Sequence, residues 1–214
     1  MKKFFTLILT TVIFLQFSCT KEPQPISTEN GMVVSTSSYA SKVGVEILKK
    51  GGNAIDAAVA VGFALAVTYP SAGNIGGGGF MVIHLADGKS ISIDFREKAP
   101  LSAHKDMHLN EAGDFVPELS RQGTTSAGVP GSVAGLLYAL ENYGTLSLAE
   151  VIQPAIDLAK TGWRFERRDS IYFSNNFSLF EKYPSSKKSL PKTVGCTKPV
   201  IFLFSLIWHG HSNK

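Results

Sequence analysis

The chain holds only two cysteines in 214 residues, Cys19 and Cys196. A disulfide framework of the kind that staples small secreted domains is therefore excluded, and the fold must rest on an apolar core. Charge is also sparse. Asp, Glu, Lys and Arg make up 18% of residues, and the formal net charge of +4 falls to +2 once Lys2 and Lys3 are set aside. No Lys/Arg run interleaved with aromatics occurs, so nucleic acid is not an expected partner. No apolar stretch reaches the roughly 20 residues that a membrane-spanning helix needs. Internal repeats are absent, as is a Gly-Lys-[Ser/Thr] sequence after the glycines, and no Ser/His/Asp or Cys/His arrangement stands out. What remains is a chain 44% hydrophobic and long enough to enclose one domain core.

The N-terminus has the build of an export signal. Met1-Lys2-Lys3 is a positive start, and the apolar run Phe4 to Phe17 is 14 residues long. It ends at Leu15-Gln-Phe-Ser-Cys19 and gives way to the polar Thr20-Lys-Glu-Pro-Gln-Pro25. A cysteine at that junction resembles a bacterial lipoprotein signal, in which the thiol is diacylated and becomes the new N-terminus. The usual leucine three residues before the cysteine is replaced by Gln16, with Leu15 one place early. An ordinary signal peptide cut nearby is the plainer alternative. Either reading exports the protein, and lipid on Cys19 would anchor it as a periplasmic or outer-membrane lipoprotein rather than make it span. Residues 1–19 are assigned to this signal and 20–30 to a tether. With Cys19 lipidated, Cys196 would stand alone.

Gly31-Met-Val-Val-Ser-Thr36 has strand character. A helix capped by Ser37 or Ser38 is predicted through about Lys50, stopped by Gly51-Gly52. Asn53 opens a second helix through Val67, apolar on nearly every face apart from Asp56 and hence buried between layers. Strands follow at Phe80–Ala86 and Ser90–Phe95, with Asp87-Gly88 as the hairpin turn. Residues 101–123 are polar and irregular. Gly128-Val-Pro-Gly131 leads into a helix to about Asn142, and Ser147-Leu-Ala-Glu150 is a capping box opening a helix to Thr161. Pro154 should break or kink that helix. Helices before and after paired strands suggest helical layers on a sheet. From Ser189 the pattern degrades into an apolar run through Trp208 with neither period nor cap, an aggregation-prone tail with the marks of an altered reading frame.

Chemistry is concentrated at Pro70-Ser-Ala-Gly-Asn-Ile-Gly-Gly-Gly-Gly-Phe80 and Asp94-Phe-Arg-Glu-Lys-Ala-Pro100. Four glycines in succession are costly to order, and a chain keeps them where backbone passes close to a neighbour or where φ must be positive. Arg96 at a strand end suits bidentate capture of a carboxylate; the bland reading pairs it with Asp94 or Glu97. Asp56, Asp94 and Glu97 are isolated carboxylates and read as surface or capping groups. His209-x-His211 resembles half a metal site but lies in the aberrant tail.

Gly31-Met-Val-Val-Ser35, Leu48-Lys-Lys-Gly-Gly-Asn-Ala-Ile-Asp-Ala-Ala-Val-Ala60, Asn74-Ile-Gly-Gly-Gly-Gly-Phe80, Asp94-Phe-Arg-Glu-Lys-Ala-Pro100 and Gly128-Val-Pro-Gly-Ser-Val-Ala-Gly135 occur in the order seen in γ-glutamyltransferases. The resemblance covers about residues 30 to 188. It implies an α+β fold, the four-layer αββα sandwich of N-terminal-nucleophile hydrolases, made as a precursor that cuts itself into a large and a small subunit. It implies that an N-terminal threonine of the small subunit attacks the γ-glutamyl amide of glutathione, with its own α-amine as base. The acyl-enzyme then passes the γ-glutamyl group to water, an amino acid or a peptide. By position Arg96 would grip the substrate's α-carboxylate and Glu97 would assist; no metal or cofactor is implied. Thr124-Thr125 lies within the large-subunit match and not at a processing site. Residues 31–188 are thus expected to be the N-terminal part of a large subunit and 189–214 an aberrant tail, truncated by a frameshift or assembly error near Ser189 to Lys192. Without the nucleophile the chain is expected to be inactive alone. DNA read past codon 192 in another frame should continue to a Thr-Thr-His-like start. The alternatives are a non-catalytic exported lipoprotein that binds γ-glutamyl or amino-acid ligands through Arg96, and a related cephalosporin-acylase-like amidase.

Overall fold

The computed structural model describes residues 25–73 and 75–189. The signal segment with Cys19, and all of the tail beyond Ser189 including Cys196 and the His209/His211 pair, lie outside the described residues. Residues 25–32 belong to a first compact unit, in which the Thr28 hydroxyl donates to the Gly31 carbonyl at 2.9 Å. The second unit begins at Val33.

That second unit contains helices α1 (Ser38–Lys49) and α2 (Ala54–Thr68), strands β1 (Phe80–His84) and β2 (Ser90–Asp94), and a short 3₁₀ turn at Thr124–Ser126. Helices α3 (Ser132–Tyr143), α4 (Leu148–Thr161), α5 (Arg167–Glu181) and α6 (Pro184–Ser189) complete it. It is a mixture of helix and antiparallel sheet. Helix α2 is the centre. It is apolar all round, as a helix buried on every side must be, and α1, α3 and α4 pack around it. Glycines allow the close approaches. A methyl on Gly44 of α1 would sit 2.7 Å from Val61, and one on Gly62 would sit 3.0 Å from Leu136 of α3.

The start of α2 is fixed by a capping box. The Asn53 side chain accepts from the backbone N–H of Ile55 at 2.8 Å and of Asp56 at 3.0 Å, and Asp56 Oδ2 accepts from Asn53 N–H at 2.7 Å. Asp56 does more than cap. It is fully buried, and it also accepts from Thr145 N–H (2.9 Å), Thr145 Oγ1 (2.7 Å) and Leu146 N–H (3.1 Å) in the α3–α4 loop. Burial works against its charged form, but these donors outweigh burial and hold the carboxyl below its usual value.

The hairpin pairs Phe80 with Asp94, Met81 with Ile93, Val82 with Ser92, Ile83 with Ile91 and His84 with Ser90. Alternation divides these into two faces. Met81, Ile83, Ile91 and Ile93 pack on the core, while Phe80 (66% exposed) and Val82 (80%) lie on the open face. Gly88 takes φ +88° in the turn, as the Asp-Gly pair anticipates.

Three expectations change. Residues 31–36 form no strand. No described strand runs beside them, and Ser35 Oγ instead bonds to the Ser37 carbonyl and Ser41 Oγ, both at 2.8 Å, which turns the chain into α1. Helix α4 is unbroken through Pro154, since the proline removes one donor while the capping box and the buried Val151 and Ala155 hold the rest. Helix α5 is an addition. Its first turn is tied by Glu166 N–H donating to Asp169 Oδ2 at 3.0 Å, and an aromatic run Trp163–Phe165–Phe173, with centroids 4.8 and 4.9 Å apart, seats it.

Candidate functional site

Three separated segments meet at one end of the hairpin. The glycine loop enters β1, residues 95–98 leave β2, and residues 128–132 enter α3. Gly79 N–H donates to the Phe95 carbonyl at 3.4 Å, and Phe95 N–H returns a bond to Gly79 at 3.0 Å. Lys98 and Val129 exchange backbone bonds of 3.1 and 2.8 Å. Gly77 closes the triangle, its carbonyl accepting from Gly131 N–H at 2.9 Å and Ser132 N–H at 3.0 Å. The first turn of α3 is thereby capped by the loop rather than by a side chain.

Gly78 and Gly79 are required by proximity. None of Gly76 to Gly79 has a positive φ. A methyl on Gly78 would lie 2.7 Å from the Glu97 nitrogen, the Glu97 Oε2 and the Phe95 carbonyl. Phe95 itself is clamped under α3, where methyls on Gly131 and Gly135 would run into its carbonyl oxygen and its ring. Sequence reading did not single out Phe95, Gly131 or Gly135 as a unit. The signal was there as a Gly-x-x-x-Gly pair on one helix face, but its partner is 36 residues upstream.

Arg96 follows Phe95 and is exposed. Its backbone N–H donates to Asp94 Oδ1 at 3.0 Å, so Asp94 anchors the main chain and not the guanidinium. Among the described residues neither Asp94 nor Glu97 forms an ion pair with Arg96. The guanidinium carbon instead stands 5.7 Å from the centroid of the Phe80 ring. Glu97 turns towards the loop, beside Gly78 and Gly128. Beside Arg96, between β2 and α3, runs an open cleft of about 580 Å³ bordered by Ile91, Ile93, Val129, Pro130 and Tyr138.

The other candidates separate from this place. Asp56 is a buried tie between loops. Thr124 and Thr125 lie in the 3₁₀ turn, with Thr125 Oγ1 donating to the Leu119 carbonyl at 2.7 Å. No group of three or more His, Cys, Asp or Glu among the described residues is placed to hold a metal, and no described helix is long and apolar enough to cross a membrane.

The exposed Arg96 and the glycine-formed backbone frame thus stand together at one end of the hairpin on a mixed α and β chain. Residues 40–200 match the gamma-glutamyltranspeptidase family, and the chain belongs to that family. A glutathione hydrolase proenzyme of Pseudomonas sp. strain A14 is 55% identical over 158 residues, which is 74% of this chain and 28% of that protein. The glutathione hydrolase proenzyme of Escherichia coli K12 is 52% identical over 139 residues, 65% of this chain and 24% of that protein. The crystal structure of Helicobacter pylori gamma-glutamyltranspeptidase superposes with a TM-score of 0.77 at 48% identity, over 83% of this chain and 51% of that one. The chain thus spans about a quarter of the length of these curated relatives.

Proposed function

We propose that this chain supplies the α-carboxylate clamp of an enzyme that cleaves the γ-glutamyl amide of glutathione and passes the γ-glutamyl group to water, amino acids or peptides. The observation that carries the reading is Arg96: exposed, without an ion-paired carboxylate among the described residues, and held at the point where the glycine loop, β2 and α3 converge. A guanidinium with free coplanar donors takes a carboxylate through two parallel hydrogen bonds. Glu97, packed against the loop, keeps that segment in place beside the substrate.

The reaction needs a nucleophile from a companion small subunit of the same precursor. Its N-terminal threonine attacks the amide carbon, the C–N bond breaks as the departing amine takes a proton, and an ester links the glutamyl group to the enzyme. Water or an amine then attacks that ester and frees the threonine. In the whole protein α1, α2 and the hairpin would form one helical layer and part of one sheet of an αββα sandwich. The reading also includes export, with Cys19 carrying lipid.

In a form that carries the nucleophile, Arg96→Met should raise KM for a chromogenic γ-glutamyl anilide by about tenfold or more, the worth of a charged hydrogen bond. An unchanged KM removes Arg96 from the site.

A further inference from the structure

We propose that Phe80 is a positioning residue for Arg96, its ring face setting the guanidinium so that the in-plane donors point outward for a ligand carboxylate. The proposal rests on the carboxylate-binding reading of Arg96. Phe80 is 66% exposed and opens β1 directly across from Asp94. It lies on the face of the hairpin turned away from the described core, where its ring meets the Arg96 guanidinium. Backbone alternation places Asp94 and Arg96 on the same side, and the guanidinium carbon lies 5.7 Å from the ring centroid.

The geometry holds Arg96 at both ends. Asp94 Oδ1 fixes its backbone N–H at 3.0 Å, and the ring attracts its head group. The chemistry of the second contact matters. A carboxylate neighbour would consume the N–H donors that the ligand needs. An aromatic face attracts the cation through its quadrupole and leaves those donors free. It also reduces the rotamer freedom that a long exposed side chain would otherwise lose on binding.

Two readouts on the 214-residue chain test this. The first is the NMR position of the Arg96 side-chain Hε and Hδ, identified by their loss in Arg96→Met. The ring current of Phe80 should shift them upfield, and Phe80→Leu should return them to ordinary arginine positions. Identical positions in wild type and Phe80→Leu overturn the proposal. The second is titration with L-glutamate and with 4-aminobutyrate, which lacks the α-carboxylate. Phe80→Leu should weaken glutamate about three- to fivefold, the range of an exposed cation–π contact. Phe80→Tyr and Phe80→Trp should restore it, and 4-aminobutyrate should not distinguish wild type from Phe80→Leu. Full glutamate affinity in Phe80→Leu, with Arg96→Met impaired, overturns the role of Phe80 and leaves that of Arg96. No glutamate binding by wild type, or equal binding by Arg96→Met, overturns the reading of Arg96, and the ring-current shift then decides Phe80 alone.

Discussion

Replacing Asp56 by alanine should be among the most damaging single changes in the described chain. Its carboxylate is fully buried and accepts four hydrogen bonds, one from Asn53 N–H in the α2 cap and three from the distant α3–α4 loop, given by Thr145 N–H, Thr145 Oγ1 and Leu146 N–H. Truncation strands the backbone N–H groups of Asn53, Thr145 and Leu146 without their acceptor. Each such buried donor costs about 1–3 kcal/mol. Allowing for water reaching one of them, the loss is about 4 kcal/mol, a large share of the 5–15 kcal/mol typical of a whole domain. Asp56→Asn keeps one acceptor oxygen and should lose about half as much. Asn53→Ala removes the cap acceptor together with the Nδ2 donor to the Tyr143 carbonyl at 2.7 Å and should cost about 2 kcal/mol. Urea unfolding followed by circular dichroism measures all three. A loss below about 1 kcal/mol for Asp56→Ala would refute the view that this carboxylate joins α2 to the α3–α4 loop.

The remaining predictions concern pH, packing and the first turn of α4. Asp56 has a folded-state value below its usual 3.8. Its contribution should therefore be complete above that value and be lost as pH falls from there through the lower folded value. In Asp56→Asn this part of the acid dependence should disappear, as acid titration of the urea midpoint would show. Gly135→Ala drives a methyl into the Phe95 ring, and should cost about 1–3 kcal/mol by overpacking. Gly88→Ala, with open space but φ +88°, should cost only about 1 kcal/mol. Ser147→Ala removes the hydroxyl that accepts from Glu150 N–H at 3.4 Å, and should lower stability by about 1 kcal/mol.

Local signals made much of the fold legible. Asn53 with an apolar run gave α2, Ser147 with Glu150 gave α4, and alternation around Asp87-Gly88 gave the hairpin. Signals that depend on distant partners were harder to read. The strand expected at 31–36 has no neighbour among the described strands. Asp56 is recognisable as a cap from Asn53, but its bonds to Thr145 and Leu146 span 89 and 90 residues. Helix α5 begins with Glu166 and Asp169, an unusual cap pair, and is seated by aromatics rather than by a periodic apolar stripe. The glycine run marked the right place for one of its two possible reasons: backbone proximity to Phe95 and Glu97, not positive φ. Arg96 could be named from sequence, whereas its freedom from Asp94 and its contact with Phe80 required the cross-strand register.

A crystal structure of the protein with L-glutamate bound tests the central claim most directly. The account predicts the α-carboxylate of glutamate within hydrogen-bonding distance of two Arg96 guanidinium nitrogens, beside the glycine loop and the start of α3. Glutamate bound elsewhere, or Arg96 turned into an ion pair with a protein carboxylate, would contradict it.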